Sequence, residues 1–310
     1  MKLLNLIIKT AILVLALSFT LFAQEPAAKP VGPTVQLSLI VTDSKNKSLN
    51  TVNKEDIHLV EDKVEQTVLS LEPDMRPVDL GLIIDASGSV RRLTESILEA
   101  ARLVVVNRQP QDEIFIERFI SSDKIQRLQD FTRDEDVLSK ALSKMYVEGG
   151  QSAIIDAVYT GAHYVAEHNQ NADRRKALVL FTDGEDRMST YNLEKLIKLL
   201  HQEKVQVFVI GLTLDLDEQG SINRPSPRHK AEKLLNTIAD ESGGRAFFPK
   251  EKSELVDSIM QIIHDLRGQF RITYQSSNAD PKALRTVEVK LDPLNGQKRK
   301  AFVPRGYESK

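Results

Sequence analysis

The chain has no cysteine. That excludes disulfides and thiolate metal sites, and it leaves no thiol for a lipid anchor. A charge excess of one sign is missing too. The formal net charge is −2, with acids and bases mixed along the chain. Neither nucleic acid nor an anionic membrane is implied as a partner. The six histidines show no paired spacing of the H-E-x-x-H kind, which argues against zinc. Nor does the N-terminal apolar stretch, Ala11 to Phe22, reach the ~20 residues that a spanning helix needs.

That stretch follows Lys2 and Lys9 and ends at Ala23-Gln24. The pattern is that of a secretory signal peptide over residues 1–23, with an uncleaved anchor as the alternative. Residues 24–33 are rich in proline and small residues and read as a linker. The expectation is an exported protein, periplasmic, cell-surface or secreted, with no stable membrane span after cleavage. The lack of cysteine fits a bacterial envelope.

From Thr34 the chain alternates apolar and polar residues, as half-exposed strands do. A second alternating stretch, Asp56 to Glu72, breaks at Glu61-Asp62-Lys63 and predicts a hairpin. The charged run Lys54 to Glu65 reads as a solvated strand face and turn. At Val78 the rhythm changes. "VDLGLIID", "DEIFIERFIS", "KALVLFTDG" and "VQVFVIGLT" are continuous apolar runs, and Ala246-Phe247-Phe248 is a short last one. Between them lie helical patterns over Leu93–Val106, Asp134–Met145, Ser152–Ala166, Tyr191–His201, His229–Glu241 and Ser253–Leu266. This alternation predicts an α/β block over residues 76–267, a doubly wound, mostly parallel Rossmann-like sheet. After Gly268, "FRITYQSS", "RTVEVKLD" and "KRKAFVPRG" return to strand-like alternation. The β-rich flanks, residues 34–75 and 268–310, are each too short to stand alone. They are expected to pair into one small β-sandwich with the α/β block inserted. Two independent hairpin extensions are the alternative.

The run Val78–Asp85 ends in Asp85-Ala86-Ser87-Gly88-Ser89. Its alternate residues, Asp85, Ser87 and Ser89, all carry side-chain oxygen. In doubly wound sheets ligands sit beyond the carboxyl ends of the strands. A second oxygen group, with Asp183, follows the run "LVLFTDGED", and a third comes from "EGGQSAIIDA", where a glycine-rich loop delivers Ser152 ahead of a helix. Oxygen-only donors suit a hard cation such as Mg²⁺. Singly, Ser89 reads as a helix N-cap and Asp183-Gly184 as a turn. Together, on one sheet edge, they read as a metal site.

These motifs resemble the metal-ion-dependent adhesion site of von Willebrand factor type A domains. The resemblance runs from about Val78 to Leu266. The flanks resemble those of bacterial secreted proteins with a von Willebrand factor A-related domain, where an "ED" turn precedes the domain and "RxGY" follows. The ending here is Arg305-Gly306-Tyr307, without the intervening residue. The resemblance implies metal-dependent protein binding or adhesion, and no enzyme. Ser87 and Ser89 would contact the ion directly, and Asp85 and Asp183 directly or through water. Ser152 would stand where the family has threonine. The ion would be Mg²⁺, or Mn²⁺ or Ca²⁺, and the partner a protein offering an Asp or Glu carboxylate.

Enzyme readings are weaker. An aspartyl phosphotransferase wants an acid two residues after Asp85, where Ser87 stands. Ser87 is preceded by Asp85-Ala86, so it is not in a G-x-S-x-G elbow, and no P-loop or G-x-G-x-x-G marks a strand-to-helix turn. A structural envelope module with a vestigial metal site, and a metal-dependent hydrolase, stay as alternatives. The long loop Leu216–Lys230 carries Arg224, Arg228, His229 and Lys230, and is expected to steer an acidic partner.

Overall fold

The computed structural model describes residues 32–168, 173–220, 225–280 and 284–308. The expected signal peptide and most of the linker lie outside these residues. Among the described residues, no helix is long and apolar enough to cross a membrane.

The central sheet is built from β5 (Val78–Asp85), β6 (Glu113–Phe119), β7 (Ile125–Thr132), β8 (Arg175–Thr182), β9 (Val205–Gly211) and β10 (Ala246–Phe247). Their order is β10-β9-β8-β5-β6-β7, and all neighbours are parallel except β6 with β7. Every residue of β5 is buried, because helices cover both faces, which is why its sequence is a continuous apolar run. On one face pack α1 (Thr94–Val106), α2 (Glu135–Ser143) and α6 (Lys252–Arg267), through Ile97, Leu138 and Ile259 among others. On the other pack α3 (Ile154–His168), α4 (Leu193–Glu203) and α5 (Pro227–Ser242), through Val158, Leu196 and Leu235. Asp134, Asn192 and Ser226 cap α2, α4 and α5 by accepting from Val137, Lys195 and His229 N–H. The antiparallel β7 is absent from the sequence reading. Its residues are nearly all half-buried, so it lacks the continuous apolar run that marks the inner strands.

The flanks do form a β-sandwich, and they form it by interleaving. The N-terminal strands are β1 (Thr34–Thr42), β2 (Ile57–Glu61), β3 (Val64–Gln66) and β4 (Val68–Pro73). The C-terminal ones are β11 (Phe270–Gln275), β12 (Leu284–Leu291), β13 (Lys300–Phe302) and β14 (Gly306–Glu308). One sheet runs β13-β1-β11-β4 and the other β14-β12-β2-β3. Val35, Leu37, Leu39, Leu59, Ile272, Val287 and Val289 fill the space between them. Each such side chain contributes ~1.5–3 kcal/mol on burial.

The charged run at the β2–β3 turn is not simply a solvated face. Asp62 and Lys63 do form the turn, both at positive φ (48° and 69°), as a two-residue hairpin favours. Glu61, however, is only 1% exposed. Its Oε2 accepts from Tyr274 Oη at 2.6 Å and Tyr307 Oη at 2.7 Å, and its Oε1 from Ser276 Oγ at 2.5 Å. Asp62 accepts from Thr286 N at 2.9 Å. The two flanks are therefore tied together at Glu61-Asp62. Burial and the Glu61 hydrogen bond push the Tyr274 phenol well above its ordinary range. Arg245 and Asp265 form a buried ion pair at 2.8 Å, and Arg245 Nη2 donates to Asn46 O, joining the α/β block to the β1–β2 loop.

Candidate metal centre

Between β5 and β8 the chain changes direction across the sheet, since β5 leads one way to β6 and β8 the other way to β9. This switch point is where an open α/β sheet leaves a crevice. Register pairs Ile84 with Phe181, so Asp85 and Thr182 end their strands side by side. Thr182 Oγ1 donates to Asp85 Oδ2 at 2.7 Å, and Ser87 N donates to Oδ1 at 2.9 Å. Ser152 Oγ lies 3.0 Å from Asp85 Oδ2 and 2.9 Å from Ser87 Oγ. Ser87 Oγ lies 3.0 Å from Ser89 Oγ. Four of the five expected residues thus form one hydrogen-bonded group. Asp85, Ser87 and Ser152 are buried, while Ser89 stands exposed at the mouth.

The fifth residue, Asp183, is 4% exposed and accepts from Glu185 N at 3.1 Å. It bonds none of the other four, but its charge reaches Asp85. Burial, and then the Asp183 carboxylate, push the Asp85 carboxyl up to about 6, against the opposing hydrogen bonds of Ser87 and Thr182. Gly184, at φ +88°, lets the chain turn immediately after Asp183; a Cβ there would lie 2.8 Å from Ala231 Cβ.

The simpler readings of these residues fall short. The short helical turn Gly88–Leu93 opens at Ser87 with no side-chain capping bond, so neither serine is held there as a cap. Asp183 does organise a turn, yet it is also buried beside a second acid. Among the described residues, no ion pair reaches Asp85 or Asp183. Two carboxylates and four hydroxyls converge without a protein cation, and the hydroxyl protons are fewer than the lone pairs they face. That donor set fits a hard divalent ion.

Two residues hold the site in roles that the sequence reading does not assign. Thr182 holds Asp85, and its signal was a hydroxyl at the last position of a buried strand. Asp186, three residues after Asp183, accepts from Ile154 N at 2.7 Å and Ile155 N at 3.2 Å, and so caps α3 from another loop. Around the mouth, Arg91 and Arg92 are exposed, and Arg118 covers the Tyr146 ring at 3.7 Å. In the loop Leu216–Lys230, residues 221–224, Arg224 with them, lie outside the described residues. Arg228 is occupied within the loop: it donates to Thr213 O at 3.1 Å and Leu216 O at 3.0 Å and pairs with Glu218. It anchors the loop and is not free to steer.

A separate group, Asp79, Glu113 and His168, brings its ligand atoms within 4.8 Å of one another at the opposite end of the sheet. There the acids already have cations. Arg174 donates to Asp79 at 2.8 Å and Arg133 pairs with Glu113 at 2.8 Å.

The model of the von Willebrand factor type A domain matches residues 79–262. The chain is a von Willebrand factor type A domain protein. The match covers the whole central sheet from the second residue of β5, and the loops that carry all five site residues. A segment of the chain is similar to ATP-dependent DNA helicase II subunit 2 of Aspergillus oryzae, 28% identical over 92 residues, 29% of this chain. That segment spans 13% of the helicase subunit's length. Among solved structures, an aerotolerance-related membrane protein from Bacteroides fragilis is 20% identical, with a TM-score of 0.45, covering 60% of this chain and 98% of that one. Proximal thread matrix protein 1 from the mussel byssus, with a zinc-occupied MIDAS motif, is 18% identical with a TM-score of 0.48, covering 64% of this chain and 49% of that one.

Proposed function

We propose that the protein binds another protein in a divalent-metal-dependent manner, through a centre made of Asp85, Ser87, Ser89, Ser152 and Asp183. The observation that carries this reading is the pairing of two buried carboxylates with converging hydroxyls and, among the described residues, no ion-paired cation. A bound Mg²⁺ or Mn²⁺ would relieve the repulsion between the two acids and offer a coordination position to a partner's Asp or Glu carboxylate. Neutral serine ligands leave that ion net positive charge, and so favour an anionic partner group. Ser89, exposed at the mouth, marks the side from which the partner arrives. Arg91 and Arg92 add positive potential there, which steers an acidic surface and orients it.

Export rests on the N-terminal sequence pattern alone. Finding the mature N-terminus near Gln24 in an extracytoplasmic fraction supports it, and an intact Met1 in the cytoplasm removes it. Calorimetric titration of the mature chain with Mg²⁺ and Mn²⁺ tests the centre. Wild type is expected to bind one ion and Asp85→Ala none. Equal binding by both would end the metal reading and leave a structural module. Turnover of an ester or peptide that is lost with Asp85→Ala would instead favour a hydrolase.

A further inference from the structure

We infer that Asp186 is a positioning residue of this centre, holding Ser152 and Asp183 in one rigid body without touching the ion. The inference rests on reading the centre as a cation site. It begins with a local deficiency in the sequence. Helix α3 starts at Ile154, so Ala153 stands where a capping side chain belongs, and alanine has no acceptor. Asp186, from the loop after β8, fills that role. Its Oδ1 accepts from Ile154 N, Ile155 N and, at 2.5 Å, Ser189 Oγ.

The bracing continues on both sides of this carboxylate. Arg187 N and Met188 N donate to Ser152 O at 2.9 and 3.2 Å. Asp156, in the first turn of α3, accepts from Thr190 N and Tyr191 N, both at 2.8 Å. The Ser152 segment and the Asp183–Tyr191 loop are therefore laced together. By contrast, the Asp85–Ser89 loop meets the Ser152 loop through Glu148 N to Ala86 O at 3.0 Å and through the ligand side chains themselves. The lacing matters because Ser152 is not β-branched. A threonine's methyl restricts its own hydroxyl rotamer. Serine lacks that restriction, so its oxygen must be placed by its backbone, and Asp186 fixes that backbone.

The test uses the mature chain and Mn²⁺ as the probe, in calorimetric titrations. Asp186→Ala is expected to weaken Mn²⁺ binding 10–100-fold, as loss of a residue supporting metal ligands commonly does. Asp186→Asn keeps an acceptor oxygen for Ile154 and Ile155, and is expected to stay within 3-fold of wild type. If Asp186 acts through Ser152, then adding Asp186→Ala to Ser152→Ala costs less than 3-fold further, a non-additivity that general destabilisation does not produce. Thermal melts without metal verify that each variant folds. Asp186→Ala binding like wild type, while Asp85→Ala does not bind, overturns the inference and leaves the metal centre intact. Loss of binding in Asp186→Asn as complete as in Asp85→Ala makes Asp186 a ligand, and also overturns it. Undiminished binding by Asp85→Ala overturns both readings.

Discussion

Glu61 in the sandwich and Asp85 in the central sheet are both buried carboxylates, and each accepts three hydrogen bonds. Glu61 is one charge surrounded by three hydroxyl donors, which satisfy it. Asp85 has a similar set, but Asp183 brings a second negative charge beside it. Its neighbours Ser87 and Ser152 also turn lone pairs toward the same space. A satisfied buried carboxylate ties strands together, whereas an oversupplied one is held at a cost that an outside cation can offset. The same chemistry thus serves structure in one region and, on the function proposed above, recognition in the other.

The largest effect should come from separating the two flanks. β11 lies between β1 and β4, and β12 between β14 and β2. Ending the chain at Gly268 removes an inner strand from each sheet, together with all three donors to Glu61. Thr34–Leu71 is then expected to become protease-sensitive, while the 76–267 unit remains resistant. A protected Thr34–Leu71 in limited proteolysis would mean that the N-terminal strands stand alone and that Glu61 ties nothing essential.

Isosteric neutralisation turns the comparison into a difference of sign. Glu61→Gln loses the charge and an acceptor, leaving buried hydroxyls short of partners. The cost is about 2–4 kcal/mol of unfolding free energy. Asp85→Asn removes a charge whose neighbour repels it, so the metal-free protein should gain on the order of 1–3 kcal/mol at pH 7. Denaturant titrations of both variants in chelator decide this. Destabilisation of similar size in both would show that Asp85 is as well satisfied as Glu61.

Much of this arrangement was legible in the sequence, for a physical reason. β5 and β8 are buried on both faces, so Asp85 and Asp183 stand out as polar endings to apolar runs. Ser152 was marked by a glycine-rich loop leading into a helix. The hairpin at Asp62-Lys63 and the pairing of the flanks were legible too, since neither flank can bury its own apolar face. What was hidden depends on partners far away in sequence. Glu61 looked solvated because its donors, Tyr274 and Tyr307, come from the far end of the chain. Asp186 looked like a loop residue because it serves backbone N–H groups of α3, which carry no sequence signature. β7 was missed because a half-buried edge strand needs no apolar run.

Acid should act on Asp85 in a defined window. Its carboxyl titrates at about 6 when folded, raised from an ordinary 3.8. The folded state therefore binds this proton more tightly than the unfolded chain does. Below pH ~4 the group costs nothing; the penalty grows as pH rises through the window and is complete above about pH 6. The magnitude is at most about 3 kcal/mol. Other buried acids also titrate, so the useful quantity is wild type minus Asp85→Asn. In chelator that difference should shrink toward zero between pH 7 and 4. With metal bound, protons compete with the ion, and apparent affinity should fall by up to tenfold per pH unit below about 6. A difference independent of pH would place Asp85 with Glu61 among the satisfied carboxylates.

The smallest expected effect comes from Ser152→Thr. It adds the methyl that the family's threonine carries, at a position only 3% exposed. The methyl restricts χ1, which should hold Oγ toward Asp85 and Ser87 more firmly before the ion arrives. Against this, Asp186 and the Arg187 and Met188 N–H groups already fix the Ser152 backbone. Little rotational freedom is left to remove, so the gain in Mn²⁺ affinity should be about 2–5-fold, under 1 kcal/mol. In an Asp186→Ala background that bracing is weakened, and the same methyl should recover more, on the order of tenfold. Calorimetric titration of wild type, the two single variants and the double variant measures both steps. Equal gains in the two backgrounds would show that the loop lacing and the side-chain rotamer are independent. A loss of affinity in both would show that the buried pocket around Ser152 has no room for the methyl.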